Sequence, residues 1–201
     1  MTVESIPNAM AFFARSAGRW RSQRTSHHLL HRRTEAGASH IEVVTLPPED
    51  DRLAAIARLH GEPAETVQGG CHVRWLGSMA WDRVGEDHQG ETVFALIPTD
   101  EHGRQGKLLR DRGYAETATV AGRFRMDDED GLELTTTYET MHSREHFRFV
   151  SSRVRLRTST VEGLSNTASL SVETRIEGSS GLELAPGPLP DMALRQAGLG
   201  W

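Results

Sequence analysis

The alternation of apolar and polar residues in short runs is the feature that most restricts the fold of this chain. About ten such runs are recognised, and a period of two is typical of β-strands with one buried face. They cover 19–31, 39–47, 71–82, 91–98, 106–112, 117–126, 131–140, 144–151, 153–161 and 166–177. Segments rich in Gly, Asp and Glu separate them and are typical of turns. The pattern predicts an all-β, antiparallel protein.

Short helical segments interrupt the strands at 5–17 and 52–59. In the first, Ser5 suits the N-cap, Pro7 suits the first turn and Gly18 suits the end. Many short strands joined by tight turns favour a closed barrel, because closure removes the exposed sheet edges. A barrel of about ten strands leaves an internal cavity in which a ligand can lie. We expect one domain over 5–178 and a disordered, Gly-, Ser- and Pro-rich tail over 179–201.

Composition excludes several classes of protein. The formal charge is −5, which disfavours a protein built around binding nucleic acid. No apolar run approaches the ~20 residues of a membrane span, and the N-terminus does not have the pattern of a signal peptide. Cys71 is the only cysteine, so an internal disulfide is impossible and a cytoplasmic location is expected. In a strand, His27 and His31 would lie about 13 Å apart, so no shared metal ion is expected.

Several polar and aromatic residues are candidates for a binding site. Trp75 and Trp81 share one strand face, either as core residues or as a flat wall for a large conjugated ligand. Glu139 and Glu173 are either solvent-facing glutamates or pocket carboxylates that could favour a protonated ligand. Three arginines also share a face, which is either an exposed outer face or a pocket wall that grips carboxylates; they are Arg153, Arg155 and Arg157.

The tripeptide Gly18-Arg19-Trp20 joins the first helix to the first strand. In calycin-type barrels a Gly-x-Trp at this place puts the indole across the closed end of the barrel, under an arginine from a late strand. A guanidinium over an indole face is attractive because of the quadrupole of the ring. The candidate partners of Trp20 are Arg155, Arg157 and Arg175.

Longer stretches resemble the S-type phycobiliprotein lyases. The similarity runs from about residue 8 to 177 and is carried by segments such as 16–28, 104–110, 138–140 and 156–159. It implies a lipocalin-like barrel whose N-terminal helix closes one end. It also implies an enzyme that attaches an open-chain tetrapyrrole, a bilin such as phycocyanobilin or phycoerythrobilin, through a thioether to a cysteine of a phycobiliprotein subunit. The subunit would belong to phycocyanin, allophycocyanin or phycoerythrin.

The same resemblance implies the site residues and implies no metal or nucleotide cofactor. Glu139 and Glu173 would be the catalytic carboxylates. The residues that bind the ligand would be Arg21, Trp75, Trp81, Arg148, Ser152 and Arg157. Arginines would hold the propionates, tryptophans would flank the rings and a carboxylate would accept from the ring N–H groups. We expect Cys71 to be shielded from the ligand.

Other functions stay open at this point. The same barrel could carry a bilin or a fatty acid without catalysis, since a fold does not define an activity. The chain could also act only beside a related lyase chain. A homodimer, or a heterodimer with a related lyase, is compatible with each of these functions.

Overall fold

A computed structural model describes residues 5–79, 88–111, 120–163 and 166–177. It contains the α-helices α1 (Ala9–Ser16) and α2 (Asp51–Leu59) and a short 3₁₀ helix at Ala64–Thr66. The strands are β1 (Gly18–His28), β2 (Arg33–Leu46), β3 (Gly69–Met79), β4 (His88–Pro98), β5 (Gln105–Arg110), β6 (Gly122–Met126), β7 (Leu132–Thr137), β8 (Met141–Phe149), β9 (Val154–Gly163) and β10 (Thr167–Ile176).

The strands form a closed antiparallel barrel in which each strand pairs with the next along the chain. The pairing of β1 with β10, in which Ser22 lies opposite Glu173, closes the cylinder. The predicted ten-stranded barrel with a helix at one end is therefore confirmed. Strand β2 begins at Arg33, earlier than the predicted residue 39, because the β1–β2 ladder continues to the pair of His28 and Arg33. The predicted tail over 179–201 lies outside the described residues.

Helix α1 covers one end of the barrel with Phe12 and Phe13, which are buried in the interior core. Its N-cap is Asn8, whose Oδ1 accepts from Ala11 N at 2.8 Å. The prediction of Ser5 as the cap was wrong. Ser5 Oγ instead donates to Asp130 Oδ2 at 3.0 Å, so it ties the N-terminal segment to the β6–β7 turn.

Trp20 lies below α1 and is completely buried. Its Nε1 donates to Ser16 O at 2.8 Å. The guanidinium carbons of Arg175 and Arg155 lie 4.3 and 4.7 Å from the centroid of the indole. The predicted cover of Trp20 by late-strand arginines is confirmed for these two arginines. Arg175 also donates to the carbonyls of Ala17 and Arg15 at 2.6 Å each, which fixes the end of α1 over this closed end.

Helix α2 packs on the outer surface of β4 and β5. Leu53 and Ile56 contact a second apolar cluster there, which includes Val93 and Leu109. The neighbouring residues Phe94 and Leu108 belong to the interior core instead. Strand β4 is therefore buried on both faces, which explains its continuous apolar run over 93–97, and in β5 only Leu108 and Leu109 are apolar and buried in this way. Among the described residues, no helix has the length and hydropathy of a membrane span.

Candidate functional site

A cavity of about 480 Å³ lies inside the barrel, between α1 and the opposite end. This volume falls within the ~300–1,000 Å³ that is usual for small-molecule sites. Phe12 and Ser16 line the cavity on the side of α1, and Gly77 and His88 line it far from that helix. The interior is therefore not filled by side chains, and a ligand can lie along the barrel.

A buried carboxylate stands at the centre of the polar wall. Glu173 on β10 is completely buried, and its Oε2 accepts from Arg155 Nε at 2.7 Å and lies 2.5 Å from Arg155 Nη2. Its Oε1 lies 3.3 Å from Arg157 Nε. The register of β9 and β10, in which Glu173 pairs with Arg155, brings these charges together.

The cavity lining contains two further arginines, Arg157 and Arg24, in addition to Arg155. Arg157 Nη1 lies 3.6 Å from Glu145 Oε1 on β8, and Arg24 on β1 also lines the cavity. Burial lowers the pKa of Arg155, although the charge of Glu173 opposes this effect. Burial and the nearby Arg157 lower the pKa of Arg24. With three arginines and two glutamates, the charged lining residues carry one excess positive charge, which favours an anionic ligand.

Three buried oxygens on this wall have no hydrogen-bond partner within the protein: Ser16 Oγ, Ser22 Oγ and Glu173 Oε1. All three residues line the cavity. A buried polar atom without a partner costs free energy, and such atoms usually meet a water molecule or a ligand. These oxygens are therefore placed to form hydrogen bonds with a molecule held in the barrel.

Aromatic side chains line the cavity in two places. Trp75 lies on β3, away from β9 and β10, whereas Phe147 on β8 lies beside the arginines, with the guanidinium carbons of Arg155 and Arg157 5.3 and 5.8 Å from its ring centroid. The ring of Trp75 lies on Gly90, because a Cβ at that glycine would come within 2.4 Å of the indole. Gly90 therefore allows the indole its present position. A flat indole beside charged groups suits a conjugated ligand that also carries carboxylates.

The polar faces of β9 and β10 point into the barrel, while Leu170 and Val172 are exposed on its outside. For Arg155 and Arg157 the structure selects the pocket wall from the two open alternatives. Arg153 precedes β9 and forms an ion pair with the exposed Glu177 instead.

Three of the predicted site residues meet in the cavity: Trp75, Arg157 and Glu173. Four others lie elsewhere. Arg21 is exposed on the outer face of β1, since the inward residues of this strand are Ser22 and Arg24.

Arg148 is also on the outside, in an ion pair with Glu129. Ser152 and Glu139 lie in the exposed β8–β9 and β7–β8 turns. Trp81 lies outside the described residues.

The structure adds Arg24, Glu145 and Arg155 to the cavity wall. Arg155 was one of three arginines for which the sequence left a pocket wall and an exposed outer face open, and it was not among the ligand-binding residues that the resemblance implied. Arg24 lies two residues after Ser22 on β1, so the two side chains point to the same face of the strand. The alternation of side chains does not tell which face of a polar strand is inside, so the sequence could not identify Arg24 or Glu145 as residues of the cavity wall.

Cys71 is completely buried, and its side chain is not part of the cavity lining. Burial raises the pKa of its thiol, with Arg155 opposing the effect. The thiol is therefore protonated at neutral pH and cannot attack a ligand, because the thiolate is the nucleophile. The expectation that Cys71 is shielded agrees with this placement.

A closed antiparallel barrel, capped by an N-terminal helix and containing a cavity that is both aromatic and charged, defines the class of lipocalin-like ligand-binding proteins. Comparison with known proteins gives the particular family. The family model described as CpeS-like protein matches residues 8–176. The chain belongs to this family.

Similar proteins carry related names. A "Chromophore lyase CpcS/CpeS 2" of Paulinella chromatophora is 62% identical over 173 residues, which are 86% of this chain and 87% of that protein. A "Phycocyanobilin lyase subunit CpcS" of Picosynechococcus sp. is 50% identical over 88% of this chain and 90% of that protein. The solved structure of the S-type phycobiliprotein lyase CPES from Guillardia theta is similar with a TM-score of 0.73 and 29% identity, covering 84% of this chain and 92% of that one.

Proposed function

We propose that this protein is a chromophore lyase, which binds a bilin in the barrel and attaches it to a cysteine of a phycobiliprotein subunit. Family membership and the names of the relatives support the reaction. The observation that carries the assignment of the site is the buried Glu173, which lines a cavity of about 480 Å³ and whose Oε1 lies 3.3 Å from Arg157 Nε without accepting a well-aligned hydrogen bond. A carboxylate held in this way is suited to the ring N–H groups of a tetrapyrrole.

The charges of the wall match those of a bilin. Arg24 and Arg157 are the arginines of the lining that are only partly buried, and we assign them to the propionates, which a guanidinium can bind through two parallel hydrogen bonds. A bilin that is protonated on its ring system and ionised at both propionates carries one net negative charge. The single excess positive charge of the lining complements it.

Trp75 would lie against the conjugated rings of the bilin. Ser16 and Ser22 would bind polar groups at the end of the bilin that lies nearest to α1. Both hydroxyl oxygens lack a partner, and Ser16 belongs to the helix that closes the barrel. The other end of the ligand would then point away from α1. That end must carry the reactive ethylidene group, because the acceptor cysteine cannot pass through the closed end.

The reaction is an addition. The cysteine thiolate forms a C–S bond with the ethylidene carbon, the π electrons of the exocyclic double bond move into the ring system, and the proton released by the thiol ends on the ring carbon. Glu173 favours the protonated tetrapyrrole, which is the better electrophile. The barrel also holds one conformer and presents one face to the thiol. Because the addition is redox-neutral, it needs no oxidant or reductant, and that the reaction uses no metal and no nucleotide stays a proposal.

The roles predicted for Arg21, Arg148, Ser152 and Glu139 stay predictions. None of these residues lines the cavity, so a contact with the acceptor is a more suitable role than a contact with the bound bilin. Trp81 stays a predicted ring contact. The acceptor could be a subunit of phycocyanin, allophycocyanin or phycoerythrin, and a cytoplasmic location stays an expectation.

A transfer assay tests the proposal. The protein is incubated with phycocyanobilin and each apo-subunit, and the subunits are then separated under denaturing conditions and examined for zinc-enhanced fluorescence. We expect a covalent adduct on one subunit, formed faster and with fewer products than in a reaction without the protein.

The variant Arg157→Gln tests the assignment of the propionates, and we expect it to weaken binding of phycocyanobilin about tenfold, the loss typical of one charge-assisted contact. Tight binding of phycocyanobilin without faster transfer to any subunit would show a carrier rather than a lyase. Absence of any absorption change on mixing would show that the cavity does not take a bilin.

A further inference from the structure

The turn between β1 and β2 carries an exposed apolar pair. Leu29 and Leu30 are each 63% exposed, and no other large apolar side chain of the described residues is more exposed. Both belong to a turn of residues 29–32, and with Arg33 this segment, 29–33, is called the β1–β2 tip below. Isolated exposed leucines are common on protein surfaces. Two adjacent leucines at the end of a barrel hairpin form a small apolar surface.

The tip is held in place by the neighbouring hairpin. Leu29 N donates to Asn166 O in the β9–β10 turn at 3.1 Å, and His31 N donates to His28 O at 3.1 Å. Asn166 is itself fixed, because its Oδ1 accepts from Gly163 N at 3.1 Å. At the base of the tip, His28 Nε2 lies 2.8 Å from Glu35 Oε2. The leucines are therefore presented by an ordered hairpin.

The tip itself carries positive charge, although the chain as a whole has a formal charge of −5. The nearest acidic residue in the sequence, Glu35, lies at the base of the tip and is paired with His28. Within the tip, Arg32 and Arg33 are both exposed. An apolar pair with adjacent arginines is complementary to an acidic surface that contains an apolar depression.

The position of the tip relates it to the cavity. Helix α1 and Trp20 close one end of the barrel, and the β1–β2 tip lies at the opposite end, since β1 runs away from α1. Arg24 lines the cavity, and Leu29 follows five residues later, about 16 Å further along the strand direction. A protein that brings a cysteine to this end of the barrel meets the tip.

We propose that the β1–β2 tip is a docking element for the acceptor subunit, and that it binds an acidic surface with an apolar depression next to the acceptor cysteine. This proposal rests on the proposed lyase function, because the acceptor is the partner that this function requires. Leu29 and Leu30 supply the apolar contact, and Arg32 and Arg33 orient the acceptor and speed its association.

Two variants test the role of the tip: Leu29→Ser with Leu30→Ser, and Arg32→Glu with Arg33→Glu. The control is Leu59→Ser, because Leu59 is 54% exposed on α2, on the outer surface away from the tip. Full-length protein loaded with phycocyanobilin is immobilised, and its binding to each apo-subunit is measured with the acceptor cysteine replaced by serine. Binding is thereby separated from transfer.

We expect each tip variant to weaken binding of the acceptor about tenfold, as is usual when central interface residues are lost. Affinity for phycocyanobilin and binding by Leu59→Ser should equal those of the wild type. Higher salt should weaken acceptor binding of the wild type more than that of Arg32→Glu with Arg33→Glu.

Unchanged acceptor binding by both tip variants, or no binding of any subunit by the wild type, would overturn the proposal. A loss of phycocyanobilin affinity in the tip variants would instead assign the tip to the ligand site. If sedimentation showed that the variants only dissociate a dimer of the wild type, the tip would be an interface between two copies. A wild type that binds subunits through the tip but transfers no bilin would refute the lyase function and leave the docking element in place.

Discussion

Replacing Glu173 by glutamine tests both the stability of the barrel and the chemistry of its cavity. Glutamine keeps the shape and one acceptor oxygen, but it removes the charge that Arg155 meets at 2.5 and 2.7 Å. Arg155 then remains as a buried cation without a counterion. Removing one partner of a buried ion pair typically costs about 3–5 kcal/mol, and the amide oxygen recovers part of this. We expect Glu173→Gln to lose about 3 kcal/mol of stability.

For a domain of this size, that loss corresponds to a decrease in Tm of roughly 6–12 °C. The measurement is thermal unfolding followed by circular dichroism. In the double variant with Arg155→Gln the buried cation is absent as well, so the two effects should fall short of additivity by about 2 kcal/mol. Glu145→Gln is the matched control. Glu145 is partly exposed and lies 3.6 Å from Arg157, so its loss should cost less than about 1 kcal/mol.

The same variant has a spectroscopic effect that a purely structural role would not produce. A carboxylate next to the ring N–H groups raises the pKa of a bound tetrapyrrole, and its removal should lower that pKa by about 1–3 pH units. A pH titration of the absorption of bound phycocyanobilin measures this change. A Tm within about 2 °C of the wild type, together with an unchanged ligand titration, would refute the reasoning about Glu173.

Further predictions concern other parts of the barrel. Cys71 should react with iodoacetamide at pH 8 at least about a thousandfold more slowly in the folded than in the unfolded protein, because the reaction requires the barrel to open. Burial raises the pKa of the Cys71 thiol, so the stability of the folded protein should decline as the pH rises above about 8.5, the ordinary pKa of a thiol, at which the unfolded protein begins to ionise. The variant Cys71→Ala should remove that decline. Gly90→Ala should displace Trp75, because the added Cβ would lie 2.4 Å from the indole. An absorption titration should then show about tenfold weaker binding of phycocyanobilin, and an unchanged affinity would mean that Trp75 does not contact the ligand. Arg175→Lys should destabilise the protein by about 2–3 kcal/mol in urea unfolding, because a lysine cannot replace a guanidinium that donates to two carbonyls while it covers the Trp20 ring. A loss below about 0.5 kcal/mol would contradict this reasoning.

Local pattern was sufficient for the strands and for the closed end. The period of two and the turn residues predicted all ten strands, since both properties depend on neighbouring residues. The cover of Trp20 by a late-strand arginine was predicted from the Gly-x-Trp of calycin-type barrels, and the structure selects Arg155 and Arg175 from the three candidates. The cap of α1 was predicted wrongly, because Ser5 finds a partner 125 residues away in Asp130, which local propensity does not register.

The candidate site was only partly predictable. Trp75 was placed correctly because its strand alternates apolar and polar residues, so the apolar face must be inside. In β10 the polar Glu173 is inside and the apolar Val172 is exposed, which reverses the usual rule. Glu173 was a candidate because of its carboxylate, and the resemblance to a known family implied its catalytic role, whereas the hydropathy pattern predicted neither.

The strands, the expectation of a closed barrel and the family were therefore predictable from the sequence itself, because they depend on local periodicity, on many short strands joined by tight turns and on long matching segments. The tertiary structure decided which face of each polar strand lines the cavity. It brought together Arg24, Glu145, Arg155 and Glu173, which belong to strands β1, β8, β9 and β10. A period of two is the same for both faces of a strand, and only the curvature of the closed barrel and the register between strands make one face the inside.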